Sequence, residues 1–232
     1  MFANKLFSFL TLEMMMTFLK YLIGFCILTS VCLQRQIFTY PSLIFQQLEK
    51  ASVTLDPNTA APWLSLSEDL TIMGYSPIKQ QLPDNPERFD SCVSVLGSEG
   101  FTSGRHHWDV DVMGQSSWCL GVARESIRRK GIIKVDPENG FWAIGLMDGN
   151  EYYACTSPWR TDLSISPKII RVYLDYKGGK VSFYNLENMA LLYTFTDTFT
   201  EKLYPYFCPY LVLDTNNLSL MKIYPQKVIL QD

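Results

Sequence analysis

Two periods divide this chain. Up to residue 36 apolar side chains run with few interruptions, and from Ser52 onward they alternate with polar or small ones. Trp108, Val110 and Val112 alternate with Asp109 and Asp111, the pattern of a strand with one face in a core and the other in water. Trp118, Leu120 and Val122 alternate with the small residues Cys119, Gly121 and Ala123, which predicts a second strand. Phe141 to Met147 and Glu151 to Cys155 flank Asp148-Gly149-Asn150. This is a hairpin signature, because Asp-Gly accepts the positive φ of a tight turn. Ile170 to Tyr176 and Val181 to Tyr184 are joined in the same way through Lys177-Gly178-Gly179-Lys180. Turn signals recur roughly every 8 to 15 residues, and no long helical pattern intervenes. The expected fold is all-β, a two-sheet antiparallel sandwich.

The organisation that follows is an apolar segment over residues 1–36, a connector over 37–50 and a β domain over 51–232. Leu6 to Leu33 carries only two charges, Glu13 and Lys20. Residues 14–33 reach the roughly 20 residues that span a bilayer, with Lys20 placed where its head can snorkel. Three readings remain open: a membrane anchor, a cleaved signal peptide with Thr29 and Ser30 near the cut, and a soluble buried helix. Lys5 and Lys20 precede the apolar run and Arg35 and Lys50 follow it, so charge bias sets no orientation. In the connector, Leu43, Ile44, Gln47 and Leu48 have the spacing of one or two helical turns.

Composition narrows the functional classes. A chain of 232 residues with 47% hydrophobic side chains fills one core and leaves no room for a second full domain. The formal charge of −3 arises from acidic and basic residues mixed along the sequence, which excludes a long-range field for nucleic acid. The six cysteines stand singly, without the close pairs of a zinc cluster or redox motif. Four of them border apolar runs, where a reduced thiol acts as a small core residue, so a reducing, cytoplasmic setting is expected. His106 and His107 are adjacent on a strand, point to opposite faces and cannot share a ligand. Asp109 and Asp111 begin like a calcium loop, but Met113 stands where an oxygen is needed, and a solvated strand face is expected. Arg128-Arg129-Lys130 reads as an exposed turn. Gly97-Ser98-Glu99-Gly100 lacks the spacing of a nucleophile elbow, and no phosphate-cradling glycine loop occurs. No enzyme, metal or cofactor role is expected, and without a coiled coil no oligomer.

Several motifs are specific enough to suggest a family. Leu55-Asp56-Pro57-Asn58-Thr59-Ala60 and Leu66-Ser67-Glu68-Asp69 resemble the PRY segment of tripartite-motif and butyrophilin proteins. Asn85-Pro86-Glu87-Arg88-Phe89-Asp90, Val95-Leu96-Gly97, the run Ser103 to Val112, Leu120-Gly121-Val122-Ala123-Arg124, Gly140-Phe141-Trp142, Leu174-Asp175-Tyr176 and Val181-Ser182-Phe183-Tyr184-Asn185 resemble SPRY motifs in the same order. The resemblance to a PRY/SPRY (B30.2) domain covers residues 51 to about 225. It implies a concanavalin-like jelly roll that recognises proteins without catalysis, in ubiquitin-linked or innate-immune settings. The ligase chemistry of full-length tripartite-motif proteins lies in a zinc-binding RING, for which this chain has no Cys/His array. A membrane-anchored butyrophilin-like receptor is the alternative the apolar segment allows.

The resemblance also carries a surface, formed by loops at one end of the sandwich: Thr71 to Asn85, Met113 to Ser117, Glu125 to Asn139, Met147 to Glu151 and Thr156 to Pro167. Relatives that grip a protein use an acid after the second-strand tryptophan, two tryptophans at the end of the Phe-Trp strand, and a phenylalanine near the C-terminal Pro-Tyr-Phe run. The matching positions are Cys119, Gly145, Met147 and Leu211, and all four identities differ. A butyrophilin-type phosphate pocket would draw on His106, Arg129, Lys130 and Arg160, yet Tyr153 replaces an arginine there and one residue is inserted before Arg160.

Overall fold

The structure is a computed structural model that describes residues 49–50, 52–209 and 220–224. The apolar segment 1–36, the connector up to residue 48 and Leu211 lie outside the described residues. The strands are β1 (Glu49–Lys50), β2 (Leu64–Leu66), β3 (Ile72–Tyr75), β4 (Val95–Leu96), β5 (Arg105–Asp111), β6 (Trp118–Arg124), β7 (Phe141–Met147), β8 (Glu151–Ala154), β9 (Thr161–Leu163), β10 (Ile169–Asp175), β11 (Lys180–Asn185), β12 (Ala190–Thr196), β13 (Leu203–Pro209) and β14 (Met221–Ile223). One 3₁₀ turn, Pro137–Asn139, capped by the Asp136 carboxylate, is the only helical element among the described residues.

The strands form two sheets. An eight-stranded sheet runs β12-β11-β10-β5-β14-β3-β2, with β1 added in parallel to β5, and a six-stranded sheet runs β4-β13-β6-β7-β8-β9. All pairings but that of β1 are antiparallel, as the alternating pattern predicts. Both predicted hairpins form. Asp148 (φ 51°) and Gly149 (φ 78°) make the β7–β8 turn, where a left-handed backbone at two successive residues is what Asp-Gly tolerates. The core is one cluster, in which Trp108 and Trp118 are wholly buried and Trp142 nearly so. Trp142 also donates its indole N–H to Asp197 at 3.1 Å.

The N-terminal part of the domain is tied to the rest by polar contacts. Asp56 accepts from the Asn58 amide at 2.9 Å, the Asx turn expected of Leu-Asp-Pro. The buried Arg88 guanidinium donates to the carbonyls of Pro83, Pro57 and Ala60, at 2.8, 2.8 and 2.6 Å. Ser94 and Tyr206 share a hydroxyl contact of 3.1 Å between the β4 and β13 regions.

One strand-face expectation is corrected. Asp109 is not solvated: it is 4% exposed on β5 and lies directly opposite Arg171 of β10. Arg171 donates to both of its carboxylate oxygens, at 2.7 and 2.9 Å. Burial is tolerated because the charge is paired in register across the two strands.

Candidate recognition surface

Register alone assembles the candidate surface. On the six-stranded sheet, Cys119 of β6 pairs with Gly145 of β7, Gly145 with Tyr153 of β8, and Tyr153 with Asp162 of β9. Residues directly opposite share a face, and alternate residues return to it, so Met147 and Glu151 join them. Cys208 of β13 completes the row opposite Cys119. The other face of these strands presents Trp118, Leu120, Ile144 and Leu146 to the interior.

The row divides into floor and rim. Cys119, Cys208 and Gly145 are buried, and Tyr153 is 8% exposed. Gly145 leaves the space that the phenol fills: a Cβ there would lie 2.8 Å from the Tyr153 hydroxyl and 2.8 Å from the Trp118 carbonyl. Cys119 and Gly145, which the resemblance places at the surface, lie buried beneath it, and Gly145 sets the depth at which Tyr153 sits. The three described anchor positions differ in exposure, because β6 and β7 lie inside the sheet order and Met147 stands at the end of β7. Met147 is there, exposed, and Arg160 reaches over to it. The Arg160 guanidinium lies 4.8 Å from the centre of the Tyr153 ring, with one nitrogen 3.5 Å from Met147 Sδ and another 3.5 Å from Glu151. Trp159, immediately before it, is 83% exposed. The Thr156 hydroxyl closes this connection on the Trp159 carbonyl at 2.6 Å.

The thiols beneath are chemically quiet. The contact of Cys119 with Cys155 (Sγ to Sγ 3.5 Å), together with burial, pushes the Cys119 thiol well above its ordinary value. Burial pushes Cys208 up to about 12 and raises the Tyr153 phenol further, with Arg160 pulling the phenol partly back. Cys119 lies on β6 and Cys155 follows β8, with β7 between them. With their sulfurs 3.5 Å apart the two thiols are in contact, and both are free cysteines.

The basic pocket is not assembled. His106 stacks on Phe101 at 4.0 Å with a ring nitrogen 2.8 Å from the Ser103 carbonyl. Arg129 donates to the Glu87 and Glu125 carbonyls at 3.2 and 3.1 Å, and Lys130 pairs with Asp84 and reaches the Asn85 carbonyl. Arg160 alone faces the surface. The first three fasten loops to the scaffold instead of converging on an anion, so the Arg128-Arg129-Lys130 run is structural. The loop cluster is corrected too. Met113–Ser117 precedes β6 and Glu125–Asn139 follows it, so a seven-residue strand of about 23 Å holds them at opposite ends. The second of these borders a separate cavity of about 420 Å³ that Asp56, Glu87, Ser98, Arg129 and Tyr204 help to line. Met113–Ser117 and the β7–β8 turn stay together, through Gly149 N–H to the Ser116 carbonyl at 2.7 Å. Sequence reasoning did not single out Trp159 or Asp162; a lone tryptophan between Pro158 and Arg160 in a polar stretch was the available signal.

No three His, Cys, Asp or Glu side chains are placed to hold a metal among the described residues. The molecule is a β-sandwich domain that exposes Met147, Trp159 and Arg160 beside its six-stranded sheet. Residues 53–101 match the SPRY-associated domain (PRY) and residues 105–222 match the SPRY domain, and the chain belongs to the SPRY family. It is 52% identical over 169 residues to Nuclear factor 7, ovary, of Xenopus laevis, covering 72% of this chain and 28% of that protein. It is 49% identical over 160 residues to E3 ubiquitin-protein ligase TRIM69 of Rattus norvegicus, covering 68% and 32%. The TRIM65 PSpry domain has the same fold, with a TM-score of 0.67 at 20% identity over 81% of this chain and 95% of that one. The domain is thus a PRY/SPRY protein-interaction module of the tripartite-motif kind, spanning about a third or less of the length of these two curated relatives. Among the described residues, no helix is long and apolar enough to cross a membrane.

Proposed function

We propose that this chain captures a protein partner on the margin of the six-stranded sheet formed by Met147, Glu151, Tyr153, Arg160 and Asp162, with Trp159 beside it. The observation that supports the reading is the uncovered Trp159, 83% exposed next to a guanidinium already stacked on a tyrosine. Large aromatics and arginines supply much of the energy of protein interfaces. By likeness to a ubiquitin ligase over this domain, the captured protein is a substrate or regulator in ubiquitin-linked recognition, with innate-immune recognition the alternative the family resemblance carries. Catalysis is not part of the role.

Proximity labelling in cells tests this. The wild-type chain and the Met147→Arg and Trp159→Ala variants are compared at equal expression, and proteins lost with both variants but kept with a distant surface variant such as Leu191→Ala are the partners. Identical labelling by all four chains would remove the proposed surface.

A further inference from the structure

The recognition margin already holds a guanidinium, its own. Tyr153 offers its ring face, Met147 its sulfur and Glu151 a carboxylate to Arg160, at 4.8, 3.5 and 3.5 Å. This is the geometry by which aromatic and acidic side chains hold a cation. The acidic side of this arrangement exceeds the basic side. Asp162 lies directly opposite Tyr153 on the same face, and Asp148 stands in the turn beside Met147. Both are exposed, and neither carboxylate has a cationic partner among the described residues. Glu151 is itself 59% exposed at its side chain and holds Arg160 only at 3.5 Å. Glu151 thus contacts the guanidinium, Asp162 and Asp148 stand on the adjoining strand and turn, and apolar surface from the exposed Trp159 and Met147 belongs to the same margin.

We infer that the partner presents a basic side chain next to a large apolar one: the cation is taken by Glu151 and Asp162, and the apolar group packs on Trp159 and Met147. This rests on the proposed surface and adds its chemistry. An acidic partner would set its charge against Asp148, Glu151 and Asp162, a like-charge juxtaposition that disfavours binding. The aromatic surface gives affinity and the surplus carboxylates give sign selectivity.

Selection of a random 12-residue peptide library on the 232-residue chain at moderate salt tests the inference. Enriched peptides are expected to carry net positive charge with at least one Leu, Ile, Phe or Trp. Their affinity should fall about tenfold with Trp159→Ala, the loss typical of a buried aromatic anchor. The Glu151→Lys/Asp162→Lys double variant should enrich acidic peptides instead. Acidic or uncharged peptides that still depend on Trp159 would overturn the partner chemistry and leave the surface standing. Peptides indifferent to Trp159→Ala and to Met147→Arg would overturn the surface itself, and a selection that yields no binder counts against both. Circular dichroism of each variant separates lost binding from lost fold.

Discussion

Arg171 grips Asp109 with two hydrogen bonds, 2.7 and 2.9 Å long, across the β5–β10 ladder, with side chains only 15% and 6% exposed. Removing one partner takes from a buried charge the counter-ion it meets in register. Arg171→Ala or Asp109→Ala should therefore cost about 3–5 kcal/mol in chemical denaturation. The double variant Asp109→Leu/Arg171→Met removes both charges and should cost clearly less than either single change. If the three variants lose stability additively, the pair is not coupled.

Gly145 leaves room for Tyr153 over β7. With a Cβ 2.8 Å from both the phenol and the Trp118 carbonyl, Gly145→Ala should lower stability by about 1–3 kcal/mol, because the clash on one side is with backbone. Thermal unfolding checks this. A melting temperature unchanged within error would mean that the phenol moves freely.

Trp159 stands apart from the core. Trp159→Ala should change unfolding stability by no more than about 0.5 kcal/mol, as for surface positions generally, while it diminishes partner capture. A substitution that lowers both equally would make Trp159 a structural residue.

The raised thiols make stability depend on alkaline pH. Cys208 keeps its proton in the folded chain up to about 12, whereas its ordinary value is 9.0. Between those values the unfolded state binds fewer protons than the folded one, so the unfolding free energy falls as pH rises from about 9 to about 12. Cys119 and Tyr153 shift in the same direction and add to the effect. Urea midpoints measured from pH 8 upward should decline, and Cys208→Ala should flatten the decline relative to its own value at pH 8. In the native chain at pH 8, a thiol reagent mapped by mass spectrometry should label the half-buried Cys92 before Cys119, Cys155 or Cys208.

Much of the fold was legible because it rests on local rules. The alternation around Trp108 and Trp118 and the Asp148-Gly149 turn each act within a few residues, where strand period and positive φ leave few choices. The candidate surface was legible only in part. Of the positions the resemblance implies, Met147 is exposed whereas Cys119 and Gly145 are buried, since a strand's sequence does not say which neighbours cover its face. Arg129 and Arg160 look equivalent as letters, but one is committed to carbonyls and the other lies on a tyrosine ring.

By itself, then, the chain's sequence determined an antiparallel sandwich and its hairpins, because these depend on period-two burial and turn chemistry. The tertiary structure decided the rest: that Asp109 meets Arg171, that the loops flanking β6 fall at opposite ends, and that Tyr153, Met147, Arg160 and Asp162 share one margin. Those relations join residues from separate strands through sheet order and register, which are set by how the whole core packs and not by any local pattern.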